Sequence, residues 1–259
     1  MLMRNKRLIK IIVLLSIIFF TFLSCTDRDL ETKSEEIAIT RAVGDTICSK
    51  YYEVIPGTQE WYSIENIEDR WAISQIPSDM LESLSTEELV EACEQFPLAI
   101  YFSFFEDERG FISEAYKRFN GLNELAKRQD GVRYLMQAYN QMNYGETPKF
   151  QAYYNLSFGL SIAYMELVIS DSSCMDKMTE EENATLLNVA REKLEMKMAN
   201  TDYFGLLDVK RSLMLCAELM LRSGISFEKD ELLLLENYKD NYFFYKPEMV
   251  EYIYNLLIR

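Results

Sequence analysis

Leu206-Leu-Asp-Val-Lys-Arg-Ser-Leu-Met-Leu-Cys-Ala-Glu-Leu-Met-Leu-Arg-Ser-Gly224 is the stretch that decides the fold class. Leu206, Val209, Leu213, Cys216 and Met220 step by 3, 4, 3 and 4, which lines them along one side of an α-helix. Gly224 then supplies a left-handed stop. Upstream, Thr179-Glu-Glu-Glu182 is a capping box, in which the threonine oxygen accepts from the amide three residues on and Glu182 reaches back. It opens a second stripe of Leu187, Ala190, Leu194 and Met198. Ser85-Thr-Glu-Glu88 repeats the device, with Leu89, Cys93 and Phe96 on one face before Pro97.

Further helices are expected over residues 113–119, 132–142 and 247–257. Asn120-Gly121, Asp130-Gly131 and residues 144–148 read as breaks between them. Residues 51–76, with their Pro56-Gly57 turn signal, are expected to be irregular or to hold one short strand. Residues 150–169 are apolar almost all the way round, so that helix is central to a core or crosses a membrane. Asn155, Ser157, Ser161 and Glu166 favour the core, because a carboxylate in hydrocarbon costs several kcal/mol. The fold class is therefore all-α, an irregular solenoid-like array of antiparallel helix pairs or a compact helical bundle. No fixed-period repeat is evident.

The first residues read as targeting rather than fold. Arg4, Lys6, Arg7 and Lys10 precede an apolar run, residues 11–23, that is too short for the ~20 residues a spanning helix needs. Ser24-Cys25 closes it. That ending resembles bacterial lipoprotein precursors, and the resemblance implies that residues 1–24 are a signal peptide and that Cys25 carries acyl chains. The alternative is an ordinary secretory leader in which Cys25 is incidental. Residues 25–50 are polar and mixed in charge and read as a tether, with a coil-like span of roughly 25–30 Å. Asp27, Asp29 and Glu31 resemble surface-export signals of Bacteroidetes lipoproteins, and Asp45-Thr46-Ile47 resembles their O-glycan acceptor pattern, or is simply linker composition. Residues 51–259 then form one mainly helical domain.

Loss of the leader takes 4 of the 27 Lys and Arg, leaving 23 cations against 42 acids, a net of −19. A surface so acidic repels phosphate backbones, so no nucleic-acid partner is expected, and membrane attachment falls to the anchor. The chain has no histidine and only 9 glycines, with no G-x-S-x-G and no phosphate-cradling loop. Cys48, Cys93, Cys174 and Cys216 match no zinc or redox spacing, and Cys93 and Cys216 fall on inward faces as inert core. No calcium-loop pattern is present either, and no metal or cofactor is expected.

Two features carry candidate chemistry. Glu166, in the most apolar helix, is the candidate acid of a glycosidase-like carboxylate pair. Its structural reading is a place at the helix edge, or a pairing with a buried Arg133, Arg191 or Arg211. The aromatic cluster around Tyr238, Tyr242, Phe243, Phe244, Tyr245, Tyr252 and Tyr254 is the binding candidate. Tyr242 and Tyr245 are the expected ligand contacts, unless the rings are core between the last two helices.

The segment from Gln75 to Met142 carries a second resemblance. Gln75-Ile-Pro77, Phe96-Pro97, Phe119-Asn-Gly-Leu122 and Glu124-Leu-Ala-Lys-Arg128, with upstream Pro56-Gly-Thr-Gln-Glu-Trp61, look like a family of secreted Bacteroidetes proteins of unknown function. The resemblance implies lineage and export and brings no catalytic residue. The expected function is a non-catalytic envelope lipoprotein that binds or scaffolds a protein or glycan partner. A carboxylate-dependent hydrolase of envelope or dietary polymers is the alternative.

Overall fold

A computed structural model describes residues 49–143 and 158–257, all within one compact unit, Cys48–Arg259. The leader, Cys25, Asp45-Thr46-Ile47, Cys48, residues 144–148, Asn155 and Ser157 lie outside the described residues. The described chain is all-α. The first helices are α1 (Gln59–Ser63), α2 (Ile67–Ile73), α3 (Ser78–Ser83) and α4 (Thr86–Glu94). A 3-10 turn, Ala99–Phe104, leads to α5 (Glu108–Arg118), α6 (Asn120–Leu125) and α7 (Gly131–Gln141). Then come α8 (Phe158–Ser170), α9 (Ser172–Met175), α10 (Glu180–Ala199), α11 (Leu206–Arg222), α12 (Lys229–Asn241) and α13 (Pro247–Leu257).

Helix α11 is the hub, packed by α8, α10, α12 and α13, while α8 also meets α5 and α7. Antiparallel pairing of α10 with α11 is visible in their bonds: Lys197 reaches the Asp208 carbonyl at one end, and Asn183 reaches the Leu219 carbonyl at the other. Both expected capping boxes form, at Ser85–Glu88 and Thr179–Glu182. Gly224 takes φ +70°, as a left-handed stop requires. Helix α8 is buried on every side, with Leu160 alone partly exposed among its described side chains, so it is a core helix. No described helix is long and apolar enough to cross a membrane.

Four local expectations are corrected. Residues 51–76 hold α1 and α2 and no strand, because Thr58 and Asn66 each cap a helix start with a side-chain oxygen. Helix α5 begins at Glu108 rather than 113, because the Asp107 carboxylate accepts from the Gly110 amide at 2.8 Å. Asn120-Gly121 opens α6 instead of breaking the chain. Asn120 exchanges hydrogen bonds of 3.0 and 2.7 Å with the Ile76 backbone, which fastens this corner to the α2–α3 link. Met198 and Leu206 face solvent, and Lys197 takes the inward position expected of Met198.

The α4 cap has a consequence in acid. The Ser85 amide, the Lys50 ammonium and the Ser85 hydroxyl together hold the Glu88 carboxyl down to about 2 from an ordinary 4.5. Because the folded value lies below the unfolded one, the stabilisation is present above about pH 4.5 and is lost as pH falls toward 2. Urea midpoints of wild type and Glu88→Gln should therefore differ near neutrality and converge in acid. A difference independent of pH would contradict this role for the cap.

Candidate functional site

The interior of this protein contains an ionic seam. Among the described residues seven charged side chains are buried, Glu108, Glu166, Lys193, Lys197, Lys210, Arg211 and Glu218, and three of them come from the α11 hub. Such groups stay charged in an apolar interior only where partners replace water.

Glu166 sits in α8 with no exposed surface. Its partner is Lys197, also fully buried, whose Nζ donates to Glu166 Oε1 at 2.9 Å and Oε2 at 2.8 Å. The third ammonium proton goes to the Asp208 carbonyl at 3.0 Å, which satisfies the lysine completely. Tyr139 and Ser212 each donate a further bond to Glu166 Oε1, at 3.1 and 2.5 Å. Burial, and then the Glu166 charge, push the Tyr139 hydroxyl well above its ordinary range, so it remains a donor. The pairing expectation for Glu166 therefore holds, but with a lysine. Of the arginines considered, Arg133 lies at the surface beside Asp130, Arg191 donates to the Leu257 carbonyl, and Arg211 serves a different acid.

That acid is Glu108, the first residue of α5 and 2% exposed. Arg211 grips it through Nε at 2.9 Å and a terminal nitrogen at 2.5 Å, the two-pronged geometry that guanidinium and carboxylate share. The other terminal nitrogen meets Asp208 Oδ1 at 3.0 Å. Burial works against the Arg211 charge, but the Glu108 hydrogen bonds and the Glu108 and Asp208 charges outweigh it and raise its pKa. Tyr242 completes the group by donating to Glu108 Oε2 at 2.6 Å. Asp208 touches both clusters, its carbonyl on Lys197 and its carboxylate on Arg211, so one continuous network runs from α7 to the end of α12.

Tyr242, an expected ligand contact, is thus a core residue, 4% exposed, with its hydroxyl committed to Glu108. Tyr245 is half-buried and packs edge-on against Tyr238 at 4.9 Å, while Tyr238 donates to the Lys210 carbonyl. Of that cluster, Phe244 and Tyr252 face solvent. Also exposed are rings that the sequence pattern did not single out. Phe104 is 71% exposed, Tyr62 65% and Phe105 50%. The available signal was crowding: Tyr101, Phe102 and Phe104 in the 3-10 turn and Phe105 capping it fall within five positions, and such a turn has no face wide enough to bury them all.

In chemical terms, Glu166 offers nothing to a substrate. Both oxygens are occupied, four hydrogen bonds converge on them, and no surface of the residue meets solvent. Among the described residues no group of three or more His, Cys, Asp or Glu is placed to hold a metal ion. Cys93, Cys174 and Cys216 are buried free thiols. Burial pushes Cys93 well up, and pushes Cys174 and Cys216 up to about 12, the first helped by Asp171 and the second by Glu166. Thiolate is the reactive form, so at about pH 8 a maleimide should leave all three unmodified in the folded chain and label them on unfolding. Peptide mapping that finds any of them labelled without unfolding would contradict their burial.

Compared with protein-family models, with curated proteins and with solved structures, the chain matches none.

Proposed function

We propose that this chain is a non-catalytic lipoprotein of the cell envelope, attached to the membrane by acyl chains on Cys25, whose helical body binds or scaffolds a protein or glycan partner. One observation carries the non-catalytic reading. Glu108 and Glu166, the two most deeply buried carboxylates among the described residues, are consumed by cations and hydroxyls of the same chain, while large aromatic side chains face outward. A glycosidase-type mechanism needs the opposite, with acids open to a cleft about 5–9 Å apart. Attachment and export rest on the cationic start, the apolar run and Ser24-Cys25. The acidic balance supports a protein or neutral glycan as partner over a nucleic acid.

Incubating the purified chain with envelope glycans and peptides tests the non-catalytic part. The expected result is no product. Release of more than one equivalent of product per chain would overturn it.

A further inference from the structure

We infer that the corner built by α1, α2 and the 3-10 turn is a docking surface for a basic peptide segment of another protein, one in which Lys or Arg alternates with apolar residues. This rests on the binding-module reading and gives its partner a chemistry.

Arg70 organises the corner. Its Nε donates to the Ile64 carbonyl at 2.8 Å, and its guanidinium lies 5.4 Å from the Trp61 ring centroid. A terminal nitrogen donates to the Tyr101 hydroxyl, and the Tyr101 ring meets Phe104 edge-on at 5.8 Å. Phe105 stacks on Phe111 at 5.6 Å, and Phe111 lies 5.9 Å from Trp71 in the core. The exposed rings are therefore backed by fixed ones. Binding to a surface held in place forfeits little ordering entropy.

Acids outnumber cations near these rings, with Glu65, Glu68, Asp69, Glu106 and Asp107 against Arg70 and Arg118. Glu65 follows Ile64 and Asp69 precedes Arg70 in the chain, and Glu106 and Asp107 follow Phe105, all exposed. The nearby cations are committed, Arg70 as above and Arg118 to Glu68 and to the Trp71 face at 4.7 Å. Open π-faces and a carboxylate rim together favour a cation on an apolar stem, because ring quadrupole and acid attract the same charge. Nucleic acid and acidic lipid head groups are repelled by the same rim. A neutral glycan would use the rings and leave the acids without a role.

The test uses the full chain in nanodiscs of neutral phosphatidylcholine, with empty nanodiscs as the blank. A labelled peptide of about a dozen residues alternating Lys with Leu and Trp is followed by anisotropy, beside its counterpart with Glu for Lys. The Lys peptide should bind, and added salt should weaken it. Phe104→Ala with Phe105→Ala should weaken it at least about tenfold at unchanged circular dichroism, as for aromatic anchors at an interface. The charge reversals Glu65→Lys with Glu106→Lys should do the same, and they keep the test decisive if the ring variant misfolds. Leu233→Ala, exposed on α12, should change nothing.

Equal binding to wild type and the ring variant would mean attraction to an acidic chain only, and would overturn the inference. Binding of both peptides, of neither, or of a neutral oligosaccharide in their place would overturn it too. If envelope proteins are retained equally by wild type and the ring variant, the binding reading stands and this surface falls. If nothing is retained, both fall.

Discussion

Lys197→Met should lower stability by roughly 3–5 kcal/mol, because it leaves the Glu166 carboxylate buried without its cation. For a domain of this size that is a fall in Tm of about 6–20 °C. The magnitude follows from the geometry: Lys197 supplies two of the four bonds on Glu166, and neither residue has exposed surface. Methionine fills much the same volume, so the loss is electrostatic rather than a cavity. Glu166→Met combined with Lys197→Met should recover most of it, since replacing a buried pair by apolar groups is often neutral or favourable. Thermal unfolding of the two single variants and the double checks this. Recovery that fails in the double variant would show that the ion pair alone does not account for the loss, the Tyr139 and Ser212 hydroxyls and the Asp208 carbonyl having lost their partners as well.

The second large effect is expected at Arg211→Met, also roughly 3–5 kcal/mol, for the same reason applied to Glu108. Here a lysine should rescue only part. Arg211 holds Glu108 with two nitrogens and Asp208 with a third, and an ammonium cannot reproduce that planar fork. Because Asp208 also accepts from Lys197, the two variants should be coupled. Their combined loss should depart from the sum of the single losses by about 0.5 kcal/mol or more. Urea unfolding of the four proteins in that cycle measures it, and strict additivity would mean that the two clusters are independent.

How much of this was legible in the sequence depends on how local each feature is. The α11 stripe, the two capping boxes and the Gly224 stop are set within a few residues, so pattern alone places them. Glu166 was conspicuous as a lone acid in an apolar helix, but its partner lies 31 residues on and depends on how helices pack. The α10 stripe illustrates the difficulty. From Leu194 the helical period permits either residue 197 or 198 inward, and hydrophobicity favours methionine over lysine. The buried carboxylate reverses that choice, and no local pattern contains it. Tyr242 fails as a ligand contact for the same reason, since its partner Glu108 is 134 residues away. Phe104 and Phe105 escaped notice because an aromatic run reads as core, and their exposure follows from Phe102 already filling the inward side of the turn.

Paired buried charges and the exposed rings of one corner are what the proposed binding role rests on. The proposed envelope location rests on residues 1–25 acting as a leader and an acylation site. Feeding cells a fatty-acid analogue and capturing the labelled proteins tests that placement most directly. The account predicts label on the wild-type chain in the membrane fraction and none on Cys25→Ala. Equal labelling of the two, or an unlabelled wild-type chain with its N-terminus intact inside the cell, would contradict it.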